Sequence, residues 1–248
     1  MSILDLIMKS VSKAPRITLY GKPGIGKSSL AASFPSPLFL LTEETGLEGV
    51  NALPVAKTFE QMWDYVTQLQ AVEEPAFKTL VIDSVSKLDN LITDYILSKE
   101  AKATTLASAC GGYGAGYSKA AQLHRSLKSK LDSFQEKGIA VVYVTHMCVK
   151  THKSPDATDY DVYSIVACHD KVREVYVDDV DATLFCRLKT FISETETGRS
   201  LVKSTEQHII VTGVNEVNVS KNRFDMPAEI AMSFKEISKY IPFYKDNK

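Results

Sequence analysis

Residues 21–28 read Gly21-Lys22-Pro23-Gly24-Ile25-Gly26-Lys27-Ser28, and Ser29 follows. The run fits G-x-x-x-x-G-K-[ST] at every fixed position. Each fixed residue type has a chemical reason. Glycines let the backbone curl until successive amide N–H groups face inward on a chain of phosphates. A helix that opens at the end of the curl turns its own free N–H groups to the same spot. Lys27 adds an ammonium within reach of the outer phosphates, and the Ser28 hydroxyl adds a hard oxygen ligand for magnesium. The surroundings agree: Arg16–Tyr20 reads as a strand running into the curl, and Pro35 closes the helix that begins at Lys27. A dinucleotide-binding turn is excluded, because Lys27-Ser28 follows Gly24-Ile25-Gly26 and the third glycine of that fingerprint is missing.

Such a site calls for a carboxylate on a neighbouring strand. Leu80-Val81-Ile82-Asp83 supplies it: an apolar strand from Thr79 that ends in an acid able to hold magnesium through water. Further buried strands are expected at Pro37–Thr42, Ile139–Thr145, Ala182–Leu188 and His208–Thr212. Helices are expected at Phe59–Val72 and roughly Ala120–Lys137. Continuous Val/Ile/Leu strands separated by helices imply an α/β fold, with a mostly parallel sheet covered by helices on both faces. This is the architecture of P-loop nucleoside triphosphatases. Ile3, Leu4, Ile7, Met8 and Val11 predict a helical lead-in within residues 1–14. Ile230, Phe234, Ile237 and Ile241 predict a helical tail within residues 225–248. Two stretches, Thr104–Tyr117 and Lys150–Ser164, are expected as long loops, and residues 1–248 as a single domain.

Composition narrows the remaining possibilities. With 248 residues, 44% hydrophobic and 24% charged, the chain falls in the globular class. A net charge of −1 excludes bulk electrostatic attraction to nucleic acid and leaves only a local basic stripe. Four cysteines at irregular spacing form no disulfide framework, which predicts a reduced, cytoplasmic setting. The start lacks the pattern of a signal peptide, and no apolar run approaches the roughly 20 residues of a membrane span. Cys148, His152, Cys168 and His169 lack zinc-site spacing, and no serine or cysteine sits in a nucleophile elbow.

Several motifs together resemble the RecA-like ATPases. Val81-Ile82-Asp83-Ser84-Val85 looks like their magnesium-binding strand. Phe39-Leu40-Leu41-Thr42-Glu43-Glu44 is similar to the strand that carries their catalytic glutamate. The resemblance makes Glu44 the general base, with Glu43 the next choice. Val142-Tyr143-Val144-Thr145-His146 resembles the strand whose end senses the γ-phosphate, which gives His146 that role and puts its strand between those of the P-loop and Asp83. Lys221-Asn222-Arg223-Phe224 is similar to the Lys-x-Arg that reaches across a subunit interface to a neighbour's nucleotide, implying trans roles for Lys221 and Arg223. The layout over about residues 15–230 resembles phage nucleotide-binding proteins built from a RecA core alone, the single-strand annealing proteins of the Sak type. The resemblance implies ATP and Mg2+ as ligands. It also implies self-association as a ring or filament, single-stranded DNA as partner and, with it, a single-strand DNA-binding protein.

The two loops would then face DNA, with Tyr113 and Tyr117 stacking on bases and Lys119, His124, Arg125 and Lys128 following them. Lys150 and Lys153 would serve in the second loop. Near-neutral charge leaves open an ATPase that loads or regulates a replication protein. Kinases of this fold usually bring an arginine-rich lid, whereas this chain has six arginines.

Overall fold

A computed structural model describes residues 12–44, 46–154, 158–194, 200–213 and 215–246. The lead-in expected at Ile3–Val11 lies outside the described residues. The strands are β1 (Arg16–Gly21), β2 (Pro37–Leu41), β3 (Asn51–Ala52), β4 (Thr79–Asp83), β5 (Ala140–His152), β6 (Tyr160–Ile165), β7 (Ala182–Glu194), β8 (Ser200–Val211), β9 (Lys221–Asn222) and β10 (Glu229–Ala231). The helices are α1 (Lys27–Ala32), α2 (Phe59–Gln70), α3 (Val85–Ser98), α4 (Ala115–Asp132), α5 (Asp170–Val177), α6 (Phe234–Ser238) and α7 (Pro242–Asp246).

One sheet runs in the order β10-β8-β7-β1-β5-β4-β2-β3. From β7 to β3 every neighbouring pair is parallel, and β8 and β10 add an antiparallel edge. The fold is thus α/β with a mostly parallel sheet, and β5 lies between β1 and β4, as the resemblance implied.

Side-chain alternation along the strands builds two cores. On β1, Ile17 and Leu19 face one way and Tyr20 the other; on β5, Val142 and Val144 oppose Val141 and Tyr143. One face packs under Val66, Leu88, Ile92, Leu127 and Val172 of α2 to α5. The other packs under Leu30, Ala31 and Ile237 of α1 and α6, with Phe34 against Phe234 at 4.7 Å between ring centroids. Each fully buried Leu, Ile or Val contributes about 1.5–3 kcal/mol relative to an exposed position. Among the described residues no helix is long and apolar enough to cross a membrane.

Four expectations are corrected. The stretch Lys150–Ser164 is not simply a loop: β5 continues to His152 and pairs antiparallel with β6, from Met147↔Ile165 to His152↔Tyr160. Helix α4 opens at Ala115 and takes Gly116 and Tyr117 from the other expected loop. A Cβ on Gly116 would lie 2.2 Å from the Leu106 carbonyl oxygen, so the loop packs flush on the helix. Ile230 belongs to β10, not to a helix; the tail helix starts at Phe234, where the Ser233 hydroxyl accepts from the Glu236 N–H. Helices α3 and α5 add to the elements anticipated from the sequence.

Candidate nucleotide-binding site

Strand β1 delivers the curl. Gly21 sits between Cys186 of β7 and His146 of β5. A Cβ there would stand 2.3 Å from the Cys186 carbonyl oxygen, so no other residue fits. Gly24 and Gly26 have φ of +75° and +96°, a conformation that side chains disfavour. Gly26 caps α1, and Lys27 then turns back into the curl. Its side chain is buried, and its ammonium donates to the carbonyls of Gly21 (3.1 Å) and Lys22 (2.9 Å). A cavity of about 440 Å³ opens over the loop. Lys27, Ser28, Ser29, Pro23, Gly24 and Gly26 line it from one side, and Glu43, Glu44, Asp83 and His146 from the other.

The charges inside are sparsely compensated. Burial pulls the Lys27 pKa below the ordinary lysine range, although Cys186, Asp83 and Glu43 pull it back up. Burial pushes Asp83 above the usual carboxylate range; the Ser28 hydroxyl, which donates to it, works against that shift, and Glu43 adds to it. His146 is held below the usual imidazole range by burial first and then by the Lys27 charge. The imidazole is therefore neutral near pH 7, and its Nε2 lies 3.9 Å from Glu43 Oε1.

Hydroxyls lock these groups together. Ser84 donates from Oγ to Glu43 Oε1 at 2.5 Å, and its N–H donates to Thr42 Oγ1 at 2.9 Å. Thr42 returns the bond to the Ser84 carbonyl at 2.8 Å. Ser86 accepts from the His146 N–H at 2.9 Å and sits 2.9 Å from the Thr145 hydroxyl. Sequence reasoning missed Thr42 and Ser86 as positioning residues. The signal was available, since both flank strand ends that carry site residues. His208, whose Nδ1 lies 3.0 Å from the Ile25 carbonyl oxygen, gave no sequence signal, because its strand reaches the loop only through the antiparallel edge.

The remaining candidates lie elsewhere. Strand β9 pairs with the start of β7, so Lys221 and Arg223 lie at the opposite end of the sheet from the loop. Arg223 donates from Nη1 to Asp181 at 3.1 Å, and Lys221 donates to the Asp178 carbonyl. Tyr113 is fully exposed, and Tyr117 rests against His169 at 5.2 Å. Lys119, Arg125 and Lys153 are exposed, while Lys150 is paired with Asp170 at 2.7 Å. None of these lines the cavity. His124 and Lys128, expected on the basic face after the tyrosines, are buried: His124 between Asp89 and Tyr176, Lys128 against Asp132. Their charges and hydrogen bonds are committed to the interior.

The sheet and the cradle at the end of β1 define the P-loop nucleoside triphosphatase fold. Its buried ammonium and glycine-only approach fit a triphosphate, and the paired hydroxyl and carboxylate of Ser28 and Asp83 fit a hard divalent cation. Residues 13–224 match the AAA domain family, and the chain belongs to it. That family and the cradle together give the chain the P-loop, AAA type of fold. No curated protein matches the sequence. Among solved structures, one described as a prototypical ATPase from the type III secretion system of pathogenic bacteria is similar at 15% identity and a TM-score of 0.38 over 70% of this chain. The chain spans about half (52%) of that one.

Proposed function

We propose that this ATPase hydrolyses ATP with Mg2+ as an oligomer of RecA-like cores, and that it works on single-stranded DNA in recombination, as annealing proteins of the Sak type do. In this reading the cradle amides and Lys27 grip the β- and γ-phosphates, and Ser28 with Asp83 hold the magnesium. The cation offsets charge on the transferring phosphoryl group. The resemblance ranks Glu44 first as the base that orients water. The geometry favours Glu43, which is fixed by Ser84 and whose charge acts on Lys27, Asp83 and His146. Neutral His146 beside it would hydrogen-bond the γ-phosphate or the water.

The observation that carries the oligomeric part is the position of Arg223, at the far end of the sheet from its own chain's cavity. Any action on phosphate must therefore fall on a neighbour. A trans cation of this kind accelerates hydrolysis by about 10³–10⁵. Mixing tests it: Lys27→Ala and Arg223→Ala proteins should each be nearly inactive, yet a mixture should recover ATPase activity, because one supplies an intact cradle and the other an intact Arg223. No recovery on mixing, with Arg223→Ala alone at full rate, would rule the trans role out. DNA as partner draws support from fully exposed Tyr113 and from Lys119 and Arg125 along the same helix approach. ATPase rates unmoved by single-stranded DNA, together with a stable protein partner in pull-downs, would favour a loader or regulator instead.

A further inference from the structure

The space over the cradle does not end at Ser29. Gly24, Gly26 and Ser29 also border a second cavity of about 360 Å³, on the flank of α1 that meets His208 of β8 and Met232 just past β10. Ile25 and Leu30 form its apolar floor, and a Cβ on Gly26 would touch Met232 Cε at 3.7 Å. The far wall is tied to the loop. His208 Nδ1 lies 3.0 Å from the Ile25 carbonyl oxygen, and the Met232 N–H donates to the His208 carbonyl at 3.2 Å.

A phosphate chain whose outer end lies at Lys27 has its inner end at Ser29. The sugar and base must leave past that serine, where this cavity begins, and its size and apolar floor suit them. We infer that the second cavity takes the nucleoside half of the nucleotide, and that His208 reads one of its hydrogen-bond donors. The inference rests on the ATP reading given above.

The chemistry of the ring supplies the direction of reading. A carbonyl oxygen only accepts, so in the contact with Ile25 the proton sits on Nδ1. A neutral ring then presents Nε2 as an acceptor, and among the described residues no partner meets it. Of the other polar side chains of the cavity, the Ser33 hydroxyl donates to the Leu30 carbonyl at 2.6 Å, the Ser233 hydroxyl accepts from the Glu236 N–H at 3.3 Å, and Ser29 stands at the border with the phosphate cradle. His208, on the wall facing away from the phosphate cradle, thus offers an imidazole acceptor to a nucleoside donor, either the exocyclic amine of the base or a ribose hydroxyl.

Calorimetry with magnesium and four ligands tests this: ATP, inosine triphosphate, 2′-deoxy-ATP and inorganic tripolyphosphate. The variant is His208→Asn, whose amide nitrogen replaces Nδ1 and keeps the tie to Ile25 while Nε2 is lost. Wild type should bind ATP more tightly than tripolyphosphate. The variant should bind tripolyphosphate as wild type does but ATP about 3- to 10-fold more weakly, the range of one hydrogen bond. In wild type the same loss should appear with inosine triphosphate if the amine is read, or with 2′-deoxy-ATP if the sugar is read, and should vanish in the variant. ATP affinity unchanged by His208→Asn, or an equal fall for ATP and tripolyphosphate, overturns the inference, the second outcome reducing His208 to a brace for the loop. Wild type that binds tripolyphosphate and ATP equally overturns the nucleoside cavity and leaves the phosphate cradle standing; wild type that binds neither overturns both.

Discussion

The two ends of the parallel sheet carry buried charge in opposite ways. At the start of β1, Arg16 bridges Asp132 at 3.0 Å and Asp181 at 3.2 Å, Lys128 sits on Asp132 at 2.5 Å, and Arg223 adds to Asp181 at 3.1 Å. Burial opposes the Arg16 charge, yet its partners hold the pKa above the ordinary arginine range. Burial alone would raise the Asp181 pKa, but hydrogen bonds from Arg16 win and hold it low. At the end of β1, Lys27 meets, among the described residues, only neutral carbonyls at hydrogen-bond distance. There burial wins, lowering Lys27 and raising Asp83. Charge satisfied within the chain supports the fold. Charge kept buried without an ionic partner is held ready for a ligand, and it costs stability until the ligand arrives.

Substitutions that treat the two ends differently can break this contrast. At the ligand end a large effect is expected on catalysis alone. Glu43→Gln should slow hydrolysis by about 10²–10⁴, the range for a base or water-orienting group, with ATP affinity and stability close to wild type. Glu44→Gln should cost less than about tenfold; a reversal of the two would return the role to Glu44. Next comes the paired end. Arg16→Met removes the half-buried cation that Asp132 and Asp181 share and leaves them only Lys128 and the exposed Arg223, so urea unfolding should show a loss of about 2–4 kcal/mol while the folded fraction still binds ATP.

The two ends should also differ in their dependence on pH. Asp181, with its folded pKa below the unfolded one, stabilises above the ordinary aspartate range, and that contribution is lost as pH falls through the folded value. Asp83, with its folded pKa raised, stabilises only while protonated, and loses that contribution as pH rises through the folded value. Nucleotide-free Asp83→Asn should therefore be more stable than wild type at neutral pH. Asp181→Asn should be less stable there, and should unfold with a shallower loss of stability on acidification. The smallest effect is expected for the stability of Arg223→Ala. Its side chain is 57% exposed and its partner is already held by Arg16, so the cost should stay below about 1 kcal/mol. A larger loss would make Arg223 part of the fold rather than a group free to serve a neighbour.

The ligand end was largely legible in the sequence, and the paired end was not. Gly21, Lys27, Ser28 and Asp83 announce themselves because phosphate chemistry fixes residue types at fixed spacing, and the Val/Ile/Leu runs of β1, β4 and β5 announce a two-sided sheet. The Arg16–Asp181 pair spans 165 positions, and no local pattern encodes it. His124 and Lys128 read as part of a basic face, because sequence does not reveal that Asp89 and Asp132 wait for them in the interior. The hairpin of β5 and β6 read as a loop because Thr151, Asp159 and Asp161 dilute its alternation. Ile230 fell at helical spacing from Phe234 by coincidence; the Ser233 and Glu236 pair marked the true helix start.

On the proposed reading the Lys27 ammonium is buried for a phosphate and not for the fold. Lys27→Met keeps the stem and removes the charge, so nucleotide-free protein should unfold at the same or higher urea concentration than wild type, while calorimetry with ATP and magnesium should show binding lost. A variant that still binds ATP, or one that unfolds as early as Arg16→Met, would contradict it.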